Sequence, residues 1–118
     1  VPPIAFDLID NSAAPLTIVY SGAKNLAKNL IAIDGTIAIR IVKDEYCKEI
    51  ISQSGKPLVS SSANFSGEPA PSTFAEINEK LIAKVDYVSQ SFRDRMGRMK
   101  PSTIVKLEEN GIFKILRP

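Results

Sequence analysis

Residues 60–64, Ser60-Ser61-Ser62-Ala63-Asn64, gather three hydroxyls and an amide around one small apolar residue. A serine supplies one O–H donor and acceptor lone pairs, and an asparagine supplies both NH2 and C=O, so the set suits phosphate or carboxylate. Ala63 has no bulk to hold a ligand away from the backbone, whose N–H groups also bind anions in such turns. The preceding Pro57-Leu58-Val59, bounded by Gly55 and the serines, predicts a short buried strand. The serines would then leave the carboxyl end of that strand, where open α/β sheets bind ligands. Phe65-Ser66-Gly67-Glu68-Pro69 predicts a turn, and Ser72 or Thr73 with Glu76 predicts a capping box at a helix start. The same composition describes a polar strand-to-helix connection without a ligand, because loops are built from Ser, Asn, Gly and Pro.

Arg40 closes the apolar run Thr36-Ile37-Ala38-Ile39. An unpaired buried guanidinium is costly, so Arg40 either meets an anionic group or reaches solvent from an edge strand, and the run alone leaves both open. Cys47 reads as a core residue, because the chain contains no His to activate a thiol. The same absence excludes a Ser/His hydrolase constellation and His-based metal sites, so neither a catalytic acid or base nor a metal ligand is expected. Arg93, Arg95, Arg98 and Lys100 surround Gly97 with only Asp94 in opposition. They read as a solvated loop that could also attract phosphate. Against that local excess, 15 Lys and Arg face 13 acids, and a net charge of +2 makes no general case for nucleic acid. A single Cys forms no internal disulfide and no apolar run approaches membrane-spanning length, which predicts a cytoplasmic setting and no membrane partner.

The elements that must position these groups follow from punctuation and periodicity. A chain of 118 residues predicts one domain. Val1-Pro2-Pro3-Ile4 predicts an extended start, since prolines fix φ and remove donors. Leu16-Thr17-Ile18-Val19-Tyr20 is β-branched enough for a central strand. Residues 23–30 predict a short amphipathic helix, Asp34-Gly35 a turn, and 36–41 a buried strand. Asp44 should cap a helix that runs to about Ser54 and stops at Gly55, with Tyr46 or Cys47, Ile50 and Ile51 inward. Residues 74–83 predict a helix, 85–88 a strand, and 101–107 a strand that Asn110-Gly111 turns back into 112–116. This is an α/β fold with a twisted mixed β-sheet and flanking helices.

The run PLVSSSANFSGEPAPST, residues 57–73, resembles the Ser-x-Asn region of the YrdC/TsaC family, the threonylcarbamoyl-AMP synthases. Pro101-Ser102-Thr103-Ile104-Val105 and the terminal Ile115-Leu116-Arg117-Pro118 are similar to two further segments of that family, with Lys106 where the family has Asp. Ala13-Ala14-Pro15-Leu16-Thr17 stands in place of the family's Pro-Gly-Pro-x-Thr, and Arg40-Ile41-Val42 in place of Arg-x-Pro. The resemblance implies the YrdC-like fold and the joining of L-threonine, bicarbonate and ATP, with Mg2+, into threonylcarbamoyl-adenylate and pyrophosphate for t6A synthesis on tRNA. It implies Arg40, Ser102 and Thr103 on the threonine side, and Thr17, Ser60, Ser62, Asn64 and Arg117 on the nucleotide side. It further implies a downstream threonylcarbamoyl transferase as partner, with tRNA or double-stranded RNA as candidate ligands.

Family members also carry a Lys-x-Arg element in an N-terminal part, and none occurs here. Residues 1–118 are therefore expected to be a partial YrdC-like domain, inactive alone, with an unpaired edge or apolar surface at 16–20 and 36–41. Two other readings of the same residues are an RNA-binding module of this fold and a carbamoyl-transfer domain of a larger maturation protein.

Overall fold

The structure, a computed structural model, describes residues 1–91 and 101–118, so the Arg93, Arg95, Arg98 and Lys100 cluster lies outside the described residues. The chain divides into two compact units, Val1–Lys56 with Pro101–Pro118, and Pro57–Lys100.

The first unit is built on one sheet. β1 (Leu16–Tyr20) is flanked by β2 (Ile37–Arg40) and β3 (Thr103–Leu107), and β4 (Phe113–Arg117) completes the order β2-β1-β3-β4. β1 pairs antiparallel with β2 and parallel with β3, and β3 pairs antiparallel with β4, so the sheet is mixed. β1 is interior as its composition predicts. β2 is not the buried strand expected at 36–41: it lies at the sheet edge, and Ala38, Ile39 and Arg40 are exposed. The expected unpaired edge thus belongs to β2 and not to β1, which has neighbours on both sides.

Helix α1 (Ile4–Asn11) covers one face of this sheet. An extended start is the sequence expectation there, yet Pro3 has φ −56 and ψ −32, and Ala5 and Phe6 donate to the Pro2 and Pro3 carbonyls. Proline suits a helix start because its fixed φ is already helical and its missing N–H would have no partner there. Ile4, Ala5, Leu8 and Ile9 then share a stripe that packs on Leu16, Ile18, Tyr20 and Leu107. Ile18 and Leu107 are each only 1% exposed, and burying each stabilises by roughly 1.5–3 kcal/mol. The Lys43 ammonium donates to the Ile9 and Ser12 carbonyls at 2.7 and 2.6 Å, closing the carboxyl end of α1.

Helix α2 (Glu45–Ser54) matches its predicted caps. The Asp44 carboxylate accepts from the Cys47 amide at 2.9 Å, and Gly55 ends the helix at φ 70, where a Cβ would be strained. Cys47 is half-buried and not deep in a core. The helix expected over 23–30 reduces to a 3-10 turn at Lys28–Leu30, because Asn25 takes a positive φ of 58 that a right-handed helix cannot contain.

The second unit, taken by itself, forms no strand among its described residues. Both expected strands, at 57–59 and 85–88, are irregular, and Leu58, Val59, Val85 and Tyr87 are exposed. An apolar run becomes a strand only when a neighbouring strand pairs with it, and among the described residues neither run is paired into the sheet. The helix expected over 74–83 breaks in two. A 3-10 turn at Phe74–Glu76 ends at Ile77 with ψ 131, and Asn78 caps α3 (Glu79–Ile82) by accepting from the Lys80 amide at 2.9 Å. Glu76 reaches back to the Ser72 amide at 2.8 Å, one residue before the Thr73 cap position, and the Thr73 side chain makes no cap bond.

Candidate functional site

Strand alternation separates two faces of the sheet. Ile18 packs under α1 with Leu16 and Tyr20, so Thr17 and Val19 lie on the face turned away from α1. Arg40 pairs with Thr17 across the β1–β2 ladder and Ile104 pairs with it across β1–β3, which puts both on the Thr17 face. Ser102, two residues before Ile104, joins them: its hydroxyl lies 2.6 Å from that of Thr17. Ser102 is 8% exposed, so the pairing satisfies a hydroxyl that burial would otherwise leave without a partner.

Arg117 reaches the same face through an irregularity that sequence periodicity does not reveal. Val105, Lys106 and Leu107 pair in step with Ile115, Lys114 and Phe113, but Ile104 pairs with Arg117, leaving Leu116 as an extra residue. A regular ladder would set Arg117 opposite Thr103, on the α1 side. The one-residue bulge turns it to the other face. There Nε and Nη2 of Arg117 donate to the Ser102 carbonyl at 2.9 and 2.7 Å, and Nη2 lies 3.3 Å from the Ser102 hydroxyl. Thr17, Ser102 and Arg117 therefore form one bonded cluster, with Arg40 in register beside it. Thr103 does not belong to that cluster: it pairs with Leu16, on the face that α1 covers.

Arg40 is exposed on the edge strand, and its charge is felt at Cys47, where it acts against the dominant effects. Burial pushes the Cys47 thiol up first, and the hydrogen bond and negative charge of Asp44 add to that, so Cys47 is no activated nucleophile.

In the second unit Ser60, Ser61 and Ser62 are exposed, and among the described residues neither Ser60 nor Ser62 spends its hydroxyl on a protein partner. Asn64 is different. Its Nδ2 donates to the Phe65 carbonyl at 3.1 Å and to the Glu68 carbonyl at 3.0 Å, bracing the turn that the Glu68 amide closes on Phe65. Gly67 sits in this turn at φ 85, a conformation that requires glycine. Oδ1 of Asn64 is buried and, among the described residues, has no hydrogen-bond partner. The Lys84 ammonium stands 5.8 Å over the Phe65 ring, a cation–π contact that holds the same turn. An open groove of about 400 Å³ beside it is lined by Glu68, Pro69, Pro71, Glu76 and Asn78, and its two carboxylates do not suit a phosphate.

Among the described residues no group of three or more His, Cys, Asp or Glu side chains is placed to hold a metal ion. The described side chains thus supply no protein cage for Mg2+. No described helix is long and apolar enough to cross a membrane.

Residues 1–118 match the Sua5/YciO/YrdC family model, described as "Telomere recombination". A protein of Methanocaldococcus jannaschii, provisionally named threonylcarbamoyl-AMP synthase, is 37% identical over 101 residues, covering 86% of this chain and 45% of the relative. The threonylcarbamoyl-AMP synthase of Pseudoalteromonas translucida is 31% identical over 92% of this chain and 57% of the relative. That of Idiomarina loihiensis is 26% identical over 92% and 58%. The chain thus spans about half the length of these curated relatives. No solved structure matches it significantly. With a mixed α/β sheet, a family model matched from end to end and relatives of one name, the chain belongs to the Sua5/YciO/YrdC family.

Proposed function

We propose that this chain is part of an L-threonylcarbamoyladenylate synthase, a cytoplasmic nucleotidyltransferase, and that residues 1–118 are one portion of its YrdC-like domain. The observation that carries the reading is the family match over 1–118, with relatives named for that activity. In this reaction the threonine amine adds to bicarbonate with loss of water, giving a carbamate. A carbamate oxygen then attacks the α-phosphorus of ATP, and the bond to the β-phosphate breaks to release pyrophosphate. Mg2+ would screen the triphosphate, which such ions hold largely through phosphate oxygens and water.

Such chemistry asks for donors to two anions, and for few acids or bases. The residues present are of that kind. In the first unit Thr17, Ser102 and Arg117 form one hydrogen-bonded cluster with Arg40 in register beside it, Arg40 and Ser102 offering donors to the threonine and Thr17 and Arg117 to the nucleotide. Ser60 and Ser62 offer uncommitted hydroxyls to the nucleotide, with Asn64 holding the turn that follows them. The product would pass to a threonylcarbamoyl transferase that modifies tRNA.

The test is pyrophosphate release by the full-length protein given ATP and bicarbonate. Release should require threonine and fall at least tenfold in Ser62→Ala, the loss of one hydrogen bond to a charged group. Threonine-independent release, or none, would remove the synthase reading.

A further inference from the structure

We infer that Lys106 and Lys114 form a subsite for the β- and γ-phosphates of the nucleotide, on the sheet face turned away from α1 and one row beyond Thr17 and Arg117. The inference deepens the synthase reading above and rests on it. The resemblance does not supply it, since the family has Asp where this chain has Lys106.

Strand register carries the placement. Lys106 pairs with Val19 on β1 and with Lys114 on β4. Partners in a ladder share a face, so both lysines lie on the side of Val19 and Thr17, opposite the face where Leu107 packs under α1. The row before them runs Arg40, Thr17, Ile104 and Arg117 across the four strands. Ile104 and Lys106 are two residues apart, which separates the rows by roughly 6.6 Å at the rise of a strand. A nucleotide whose first phosphate meets Arg117 therefore has its next phosphates within reach of the two lysines.

The charges of this row favour an anion there. Two like charges directly opposite each other in an antiparallel pair repel, and an anion between them turns that repulsion into attraction. Among the described residues Lys114 has no carboxylate partner, and Lys106 has only Glu108, 3.8 Å from its Nζ. With side chains 35% and 49% exposed, that contact is weak and yields to a phosphate. Asp34 also senses Lys106, yet its carboxyl is held down first by the hydrogen bonds of Thr36, with the lysine contributing less. When the carbamate oxygen attacks the α-phosphorus, the bond to the bridging oxygen breaks and its electron pair leaves with the pyrophosphate. Two ammonium groups beside the departing phosphates stabilise that charge.

Calorimetry on the full-length protein, with threonine withheld so that nothing turns over, separates this subsite from the rest of the nucleotide. In the double variant Lys106→Gln with Lys114→Gln, affinity for ATP and for inorganic pyrophosphate should fall roughly tenfold or more, while affinity for AMP stays within about twofold. Arginine at both positions should retain most of the ATP affinity, because the charge remains. In steady state the glutamine pair should raise KM for ATP and leave KM for threonine unchanged.

Equal losses for ATP and AMP would overturn the inference, as would unchanged ATP affinity in the double variant. Loss of RNA binding with ATP binding intact would overturn it too, and make the row a nucleic-acid contact. If Lys106→Gln fails to fold, the exposed Lys114 decides alone, and undiminished affinity for ATP and pyrophosphate in Lys114→Gln refutes the proposal. A wild-type protein that binds both ligands through these lysines but releases no pyrophosphate in response to threonine would sink the synthase reading and leave the subsite standing.

Discussion

Asn64 offers a prediction in which the mildest-looking substitution does the most damage. Its Nδ2 makes two hydrogen bonds, to the Phe65 and Glu68 carbonyls, while its Oδ1 is buried and, among the described residues, has no donor. Each bond is worth about 0.5–1 kcal/mol net, so their loss in Asn64→Ala costs about 1–2 kcal/mol, and removing the orphaned acceptor returns roughly 1 kcal/mol. The alanine variant should therefore loosen the turn by about 1 kcal/mol or less. Asn64→Asp keeps the size and does worse. One carboxylate oxygen faces two carbonyl oxygens and the other lies buried without a donor, so lost bonds, repulsion and desolvation add to roughly 3 kcal/mol or more. The readout is hydrogen exchange at the Glu68 amide, which closes the turn on Phe65 at 3.0 Å. At about 1.4 kcal/mol per factor of ten, exchange should speed by less than tenfold in the alanine variant and by over a hundredfold in the aspartate variant. Acidification through the carboxylate range should shrink the second effect, because a protonated carboxyl regains one donor. Equal protection in the aspartate and wild-type proteins, or the larger loss in alanine, would refute the reasoning.

Two further outcomes follow from titrating groups of the first unit. The Thr36 hydroxyl, then its amide, hold the Asp34 carboxyl below the usual carboxylate range, with bonds at 2.7 and 3.1 Å. A depressed folded-state pKa means that the ionised form favours the fold: the contribution is complete at neutral pH and disappears as pH falls through and below that range. Asp34→Ala should thus lower the denaturation midpoint at neutral pH and match the wild type in strong acid; a constant difference across pH would count against this. Cys47, whose thiol is raised by burial and by Asp44, should react with a disulfide reagent more slowly than a free thiol at pH 8. Reaction as fast as the free thiol would contradict its placement.

Local rules read well in this chain wherever one or two residues decide the geometry. Asp44 and Gly55 bracket α2 because a carboxylate can take an orphaned amide and only glycine rests easily at positive φ. The turn of Asn110 and Gly111 between β3 and β4 has the same origin, with Gly111 at φ 88. The α/β class and the interior place of β1 were legible for the same kind of reason, since a run of β-branched residues fits a paired strand. Residues 57–59 and 85–88 carry an equally apolar pattern and form no strand, because pairing is a property of neighbours and not of the run. Proline at position 3 misled in the opposite sense, since its effect depends on whether it falls inside a helix or at its start.

For the candidate site, the sequence by itself determined which residue types are available: hydroxyls at Thr17, Ser60, Ser62 and Ser102, an amide at Asn64, guanidinium groups at Arg40 and Arg117, and no imidazole. Only the tertiary structure decided which of them meet. Ser102 and Thr103 are adjacent in the chain and fall on opposite faces, while Thr17 and Ser102 are 85 residues apart and share a hydrogen bond. Arg117 joins them because a single extra residue in β4 reverses the alternation of a strand, and a period of two gives the sequence no way to announce where it slips.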